Sequence, residues 1–324
     1  VTGLARRGFL ALAAAPLAAG AGRAQTPPWP NQPLRIVVPF PPGALTDVLG
    51  RMIAERLQAS LGQTVVVENK PGAGTQVGAA YVAKQAADGY TLLVATSTTL
   101  GIVPALYAKP LIAVADFTGV AMLGNVTFYL VVRPDFAARS LPDLVALLRA
   151  KPDGYAYGSP GVGTAHHLLV ELIKIRDKVQ ATHVPYQGSA KAVVDLAEGR
   201  LGFMFLDASV ALPQIAAGKL RALAVTGSRR DAAMPEVPAL TEIYPGLDLQ
   251  AWQSIVAPAG TPAAIVERLN GDINVALRDP AFAERLRRVG VEPTPLTVAA
   301  FNDFIGRDIG RWADLVRTSG AKAE

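Results

Sequence analysis

The chain has 324 residues, 51% of them hydrophobic, no cysteine and a formal net charge of +5. That length exceeds what one small core organises and suits two lobes of about 100 to 200 residues each, while the lack of cysteine excludes disulfides, thiolate catalysis, Cys-ligated metal clusters and a lipid anchor on a cysteine. Arg6, Arg7 and Arg23 lie in the first 24 positions, where no acid stands, so removing them from +5 leaves +2; with no Lys/Arg block, nucleic acid is an improbable partner.

Residues 1–24, VTGLARRGFLALAAAPLAAGAGRA, set Arg6-Arg7 before an Ala-rich apolar run that ends in small residues. This is the pattern of a secretory signal, and RRGFL fits its twin-arginine variant. The run falls short of the ~20 residues a membrane span needs. The chain from about Gln25 is therefore expected to be soluble and periplasmic.

Beyond the leader, short apolar runs alternate with helical patterns, which predicts an α/β protein with helices around mostly parallel sheets. Strands are expected at 34–39, 64–68, 90–95, 128–132, 155–158, 182–186, 201–206, 221–226 and 252–257. Helices are expected at 46–60, 75–86, 141–150, 164–175, 189–198, 210–217, 262–277, 280–288 and 298–317. Val48, Leu49, Met52, Ile53 and Leu57 form one apolar stripe on the first helix, and Leu168, Leu169, Leu172 and Ile173 repeat the spacing later. The segments 119–127 and 247–260 each carry a strand-like run flanked by Gly or Pro. They are expected to cross between lobes, giving a first lobe of 25–124 plus 253–324 and a second of 125–252.

Four strand ends share one design, in which small or turn residues lead into a helix opened by Ser, Thr or Gly: VVPFPPGALTD (37–47), VENKPGAGTQVG (67–78), YGSPGVGTAHH (157–167) and VPYQGSAKA (184–192). A fifth, VATSTT (94–99), ends its strand in hydroxyls, among them Thr96 and Ser97. In open α/β sheets ligands bind outside the carboxyl ends of the strands. A helix N-terminus there offers unpaired N–H groups and about half a positive charge, so it attracts an anion without Arg or Lys. Gly43, Gly161 and Gly163 would let the backbone approach it closely. Two corners fall in each expected lobe, so a cleft between them would be lined with helix N-termini from both walls.

Other chemistry lacks its signature. There is no GxxxxGK for nucleotide phosphates, no GxSxG elbow and no HExxH, and the third glycine of GAGTQVG comes one residue late for a dinucleotide fingerprint. His166 and His167 are adjacent on a helix start and diverge by about 100°, which argues against a shared metal. His167 could donate to a cleft ligand or serve as a cap. Asp47 either complements its helix dipole or joins the site, and Asp207, after the strand at 201–206, could meet a hydroxyl or cationic group or be a turn acid. No cofactor is expected.

Several stretches together resemble the tripartite tricarboxylate transporter solute receptors, also called Bug proteins: PLRIVVPFPPGALTDVLGRMIAERL, GQTVVVENKPGAGTQVGA, DGYTLLVATSTT, YGSPGVGTAHHLLVEL, HVPYQGSAKAVVDLAEG, GKLRALAVTG and APAGTP. They follow one another in family order from about residue 30 to 320. The resemblance implies a two-lobed flytrap of the type II periplasmic class, which binds a small carboxylate and presents it to a membrane transporter. It further implies ligand contacts from the loop Phe40, Pro42, Gly43, Ala44, Thr46 and Asp47, from the loop Gly161, Val162, Gly163 and Thr164, and from Thr96 and Ser97; the residues themselves add His167, Tyr186 and Asp207 as candidates. Ala44, Thr98 and Val103 depart from the family pattern, and Asp207 stands one place after its usual Asp. A non-catalytic monomer that binds a mono- or dicarboxylate, an amino acid or an aromatic acid is the leading expectation. The alternatives are a twin-arginine-exported enzyme carrying a cofactor and a receptor that reports to a sensor kinase.

Overall fold

The computed structural model describes residues 29–322; the leader assigned to residues 1–24 lies outside them. The aliphatic runs form strands β1 (Leu34–Val38), β2 (Val65–Asn69), β3 (Thr91–Thr96), β4 (Phe117–Val126), β5 (Phe128–Val132), β6 (Ala156–Ser159), β7 (Thr182–Pro185), β8 (Phe203–Asp207), β9 (Arg221–Val225), β10 (Ala251–Pro258) and β11 (Val291–Pro293). They make two sheets, ordered β11-β4-β10-β3-β1-β2 and β7-β6-β8-β5-β9. The helices are α1 (Leu45–Leu61), α2 (Gln76–Ala83), α3 (Val103–Leu106), α4 (Leu141–Ala150), α5 (Ala165–Asp177), α6 (Ser189–Ala197), α7 (Ala208–Ala216), α8 (Leu240–Ile243), α9 (Ala263–Arg278), α10 (Pro280–Arg288) and α11 (Val298–Ser319).

The sheets are mixed rather than mostly parallel, and the reason lies in how the chain changes sheet. β1 pairs in parallel with β2 and β3, and β6 with β7 and β8. β10 runs antiparallel to both β3 and β4, and β5 antiparallel to both β8 and β9. β5 and β10 are the strands by which the chain arrives from the other sheet. Each starts at the edge where its neighbours end: Phe128 opposite Asp207, Gln253 opposite Thr96. The carboxyl ends of β1, β2, β3 and β4 therefore face those of β6, β7, β8 and β9.

Only Thr127 separates β4 from β5. Its N–H donates to the Gly290 carbonyl at 2.9 Å, and its own carbonyl accepts from Ala208 at 3.0 Å. The start of β5 is also pinned to the segment leaving β9, because Thr226 donates its N–H to Phe128 and accepts the Phe128 N–H on its hydroxyl, both at 2.9 Å. Both crossings are thus tied together beside the shared edge.

Alternation along the first sheet divides its core between two faces. Ile36, Val38, Leu92 and Val94 pack under Leu49, Ile53 and Leu57 of α1, while Val37, Leu93 and Ala95 face Ala79 and Val82 of α2 together with Trp252, Phe301 and Ile305. Trp252 of the second cluster and Trp312 of the first both donate their indole N–H to Asp308, at 2.5 and 2.9 Å. Burial raises the Asp308 carboxyl above its ordinary range, against the lowering effect of both indoles and of Arg311. A native carboxyl that holds its proton more tightly than the unfolded chain contributes stability at low pH and withdraws it as pH rises through its raised value. Urea melts of the wild type and Asp308→Asn between pH 4 and 7 are expected to show the variant gaining stability relative to the wild type as pH rises; a difference that is flat with pH would contradict this.

Candidate functional site

The first corner holds itself open through one carboxylate. Pro41 and Pro42 have no N–H to give, and Gly43 turns the chain at φ +80°. Asp47, only 3% exposed, accepts the Gly43 N–H at 2.9 Å, the Asn69 amide at 2.9 Å and the Arg51 Nε at 3.1 Å, while Asn69 also donates to the Phe40 carbonyl at 3.0 Å. Burial alone would raise the Asp47 carboxyl, but the hydrogen bonds from Arg51, Gly43 and Asn69 outweigh it and hold the group below the usual carboxylate range. Asp47 therefore tethers its own loop, and its oxygens are occupied.

That tether leaves the start of α1 bare. Ala44 is the N-cap and has no side-chain acceptor, and the first-turn amides of Leu45 and Thr46 have no intrahelical acceptor. The Thr46 hydroxyl meets the Gln253 amide of β10 at 3.2 Å, which brings the crossing strand to the helix start.

Beside it, the hydroxyl row closes on itself in part. Thr96 and Thr99 share their hydroxyls at 3.2 Å, and Ser97 is 1% exposed at the head of a π-helical turn, Thr98–Ile102, that leads into α3. Such turns recur at functional sites. The loop before α2 approaches α3 from the other side, since a Cβ on Gly74 would stand 3.1 Å from the Tyr107 hydroxyl.

The second sheet contributes Gly161–Thr164, at the end of β6. A Cβ on Gly163 would stand 2.0 Å from Leu106 Cδ2, so this loop meets α3 of the first sheet's layer with no room for a side chain. Its backbone is braced from beneath. Ser159 accepts the Gly161 N–H at 3.2 Å and shares a 2.7 Å hydrogen bond with His183, while His167 Nδ1 accepts the Gly163 N–H at 3.1 Å. The two imidazoles stack at 4.0 Å. Burial pushes His167 down to about 4 and His183 to about 3, with lesser contributions from Lys174 and, for His183, from His167 itself. Both are therefore neutral at pH 7, as an accepting Nδ1 requires. Thr164 caps α5 by accepting the His167 N–H, and the amides of Ala165 and His166 have no intrahelical acceptor. Val162 is half-exposed at the loop tip.

The remaining expected residues divide. Asp207, the N-cap of α7, meets His166 Nε2 at 3.2 Å, and the His166 ring stands edge-on to Phe128 at 4.6 Å, so this pair sits at the crossing. Tyr186 donates its hydroxyl to Asp195 at 2.7 Å, and burial with that acceptor raises it to about 12. Its hydroxyl is thus committed to α6 of the second sheet's layer. His167 lies under the glycine loop rather than facing the space between sheets. Among the described residues no cluster of three or more His, Asp or Glu could hold a metal, and no helix is long and apolar enough to cross a membrane.

The model of the tripartite tricarboxylate transporter family receptor matches residues 49–321. The chain belongs to this family. It is 39% identical over 300 residues to Protein BugT of Bordetella pertussis, covering 91% of each chain. Among solved structures it superposes on Rpa4515 of R. palustris with adipate at TM-score 0.84 and 34% identity, covering 91% of this chain and 99% of that one. MatC from Rhodopseudomonas palustris with bound malate follows at TM-score 0.80 and 32% identity, covering 89% and 100%.

In this member of the family, three groups at the shared edge escape a reading of corners alone. Leu106 requires the fold, because only α3 brings it to Gly163. Thr75 stands in a run of positive φ from Gly72 to Thr75, with its hydroxyl buried and unpartnered. Gln253 had a visible signal, as the one long polar side chain in AWQSIVAP, a strand buried throughout. Gly163→Val places a branched side chain against Leu106 at φ +73°, and the strain should cost about 1–3 kcal/mol. The expected outcome is a larger radius of gyration by small-angle scattering with unchanged far-UV circular dichroism; an unchanged radius would mean that the loop can shift without parting the sheets.

Proposed function

We propose that the protein is a periplasmic solute receptor that closes its two lobes, residues 25–124 plus 253–324 and 125–252, on a small carboxylate and presents it to a membrane transporter of the tripartite tricarboxylate type. The observations that carry this reading are the uncapped start of α1 at the carboxyl edge of the first sheet and the braced Gly161–Thr164 loop that meets α3 from the second. Phe40, Pro42, Gly43, Ala44 and Thr46 line one wall with Thr96 and Ser97, and Gly161, Val162, Gly163 and Thr164 line the other. Asp47 and His167 support these loops, Asp207 stands with His166 at the crossing, and Tyr186 braces the fourth corner. The acids near the site are engaged by Arg51, Asn69 and His166, so they oppose an anionic guest less than free carboxylates would.

Hydrogen bonds to a charged group contribute ~1.5–3 kcal/mol each, and a micromolar complex needs about 8 kcal/mol net. After ordering costs, roughly four to six amides and hydroxyls suffice, without Arg or Lys. The relatives with adipate and with malate support a carboxylate as the guest. Ser159 Oγ and His183 Nε2 pair at 2.7 Å, but Ser159 is fully buried beneath the glycine loop and braces it; on this reading the protein binds its solute and releases it unchanged, as a monomer.

Thermal shift with mono- and dicarboxylates, amino acids and aromatic acids at millimolar concentration is expected to raise the melting temperature for one class, with Gly163→Val losing at least about tenfold in affinity for it, since contacts from both walls select the closed form. No response to any acid would overturn the carboxylate reading, and undiminished affinity in the variant would remove the glycine loop from the site.

A further inference from the structure

The amides at the shared edge account for a carboxylate, yet they leave buried acceptors without donors. Gln253 is 7% exposed and sits where β10 leaves the crossing, between Thr96 on β3 and Gly124 on β4. Its Nε2 donates to Thr46 at the uncapped start of α1, while its Oε1 is buried and has no hydrogen-bond partner. An acceptor of this kind costs about 1–3 kcal/mol unless a water or a ligand supplies the donor. The β4–β10 register shifts between Gln253 and Ser254, an irregularity of the sort that re-aims a side chain beside a site. From the other lobe, His166 gives its Nε2–H to Asp207, which leaves Nδ1 as an acceptor, and that atom too is buried and unpartnered.

We infer that Gln253, seconded by His166, reads a hydrogen-bond donor on the solute, so that the preferred guest is a carboxylate carrying a hydroxyl or ammonium group rather than an unsubstituted acid. This rests on the carboxylate reading and narrows it. On this inference the carboxylate lies on the amides of α1 and the Gly161–Thr164 loop, and its substituent points toward Gln253 Oε1 beside the crossing strand, with His166 Nδ1 as the second open acceptor. A site built to receive a donor discriminates against the analogue that lacks one, because its own acceptor is then stranded.

Isothermal titration with succinate, malate and aspartate, with glutarate, 2-hydroxyglutarate and glutamate, and with adipate, 2-hydroxyadipate and 2-aminoadipate tests this at three chain lengths. At the length that fits, the wild type should bind a substituted acid at least about tenfold more tightly than its parent. Gln253→Met, which keeps the length and removes the acceptor, should bring the two within about threefold by weakening the substituted acid more than its parent. Equal affinity for substituted and parent acids in the wild type overturns the inference with no variant needed, and a preference that survives in a folded Gln253→Met overturns the role of Gln253. Silence from all nine acids also overturns it, while the wider thermal-shift panel decides separately whether the carboxylate reading stands.

Discussion

Everything in this molecule turns on the obligation of a helix start to find acceptors for its first N–H groups. Four of the eleven α-helices among the described residues meet it with a capping side chain: Ser140, Thr164, Asp279 and Thr297 each accept a backbone N–H of the helix they precede. α1 does not, because Ala44 stands at its cap and the nearest carboxylate, Asp47, is consumed by Gly43, Asn69 and Arg51. An unmet requirement on the rim of a sheet, facing a glycine loop from a second sheet, is a standing attraction for an anion. The charge that would otherwise be recruited from Arg or Lys is supplied by peptide dipoles.

Rigid support follows from the same requirement, since amides attract only if they stay aimed. Beneath Gly161–Thr164 the support is a pair of neutral imidazoles with Ser159, and neutrality matters: a protonated His167 could not accept the Gly163 N–H, and burial keeps that state far below physiological pH. Beneath Phe40–Thr46 it is the Asp47 cluster. The two loops use opposite chemistries, a desolvated neutral acceptor and a densely bonded carboxylate, to the same mechanical end.

Much of this was legible in the chain. Strands β1, β2 and β3 and helix α1 were readable because short aliphatic runs end in Pro/Gly or hydroxyl-rich corners, and the carboxyl-end rule points those corners to one edge. The α3 region was not, because STTLGIVPALY contains Gly101 and Pro104, which read as breakers; Pro104 in fact lies in the first turn of α3, where its missing N–H is no loss. β11 is three residues long and ends in Pro293, too little pattern to detect. Strand direction was equally hidden, since a period of two carries no polarity, and the antiparallel insertion of β10 is set by the chain's return from the other sheet. Side-chain roles were the least readable part. Asp47, His167 and Tyr186 all read as polar residues near a corner, and only their partners separate a tether, a brace and a hydroxyl spent on Asp195.

The single residue between β4 and β5 has one more consequence. A linker of one residue has little slack, so the last Cα of β4 and the first of β5 stay within about 7 Å of each other across Thr127 whatever else moves. Relative motion must then be rotation about a line through that point, and displacement grows with distance from it. On the receptor reading, depth and breadth of the opening are decoupled: groups next to the pivot keep nearly constant spacing and would judge a guest's functional groups, while the outer lips travel furthest and would set the length that fits.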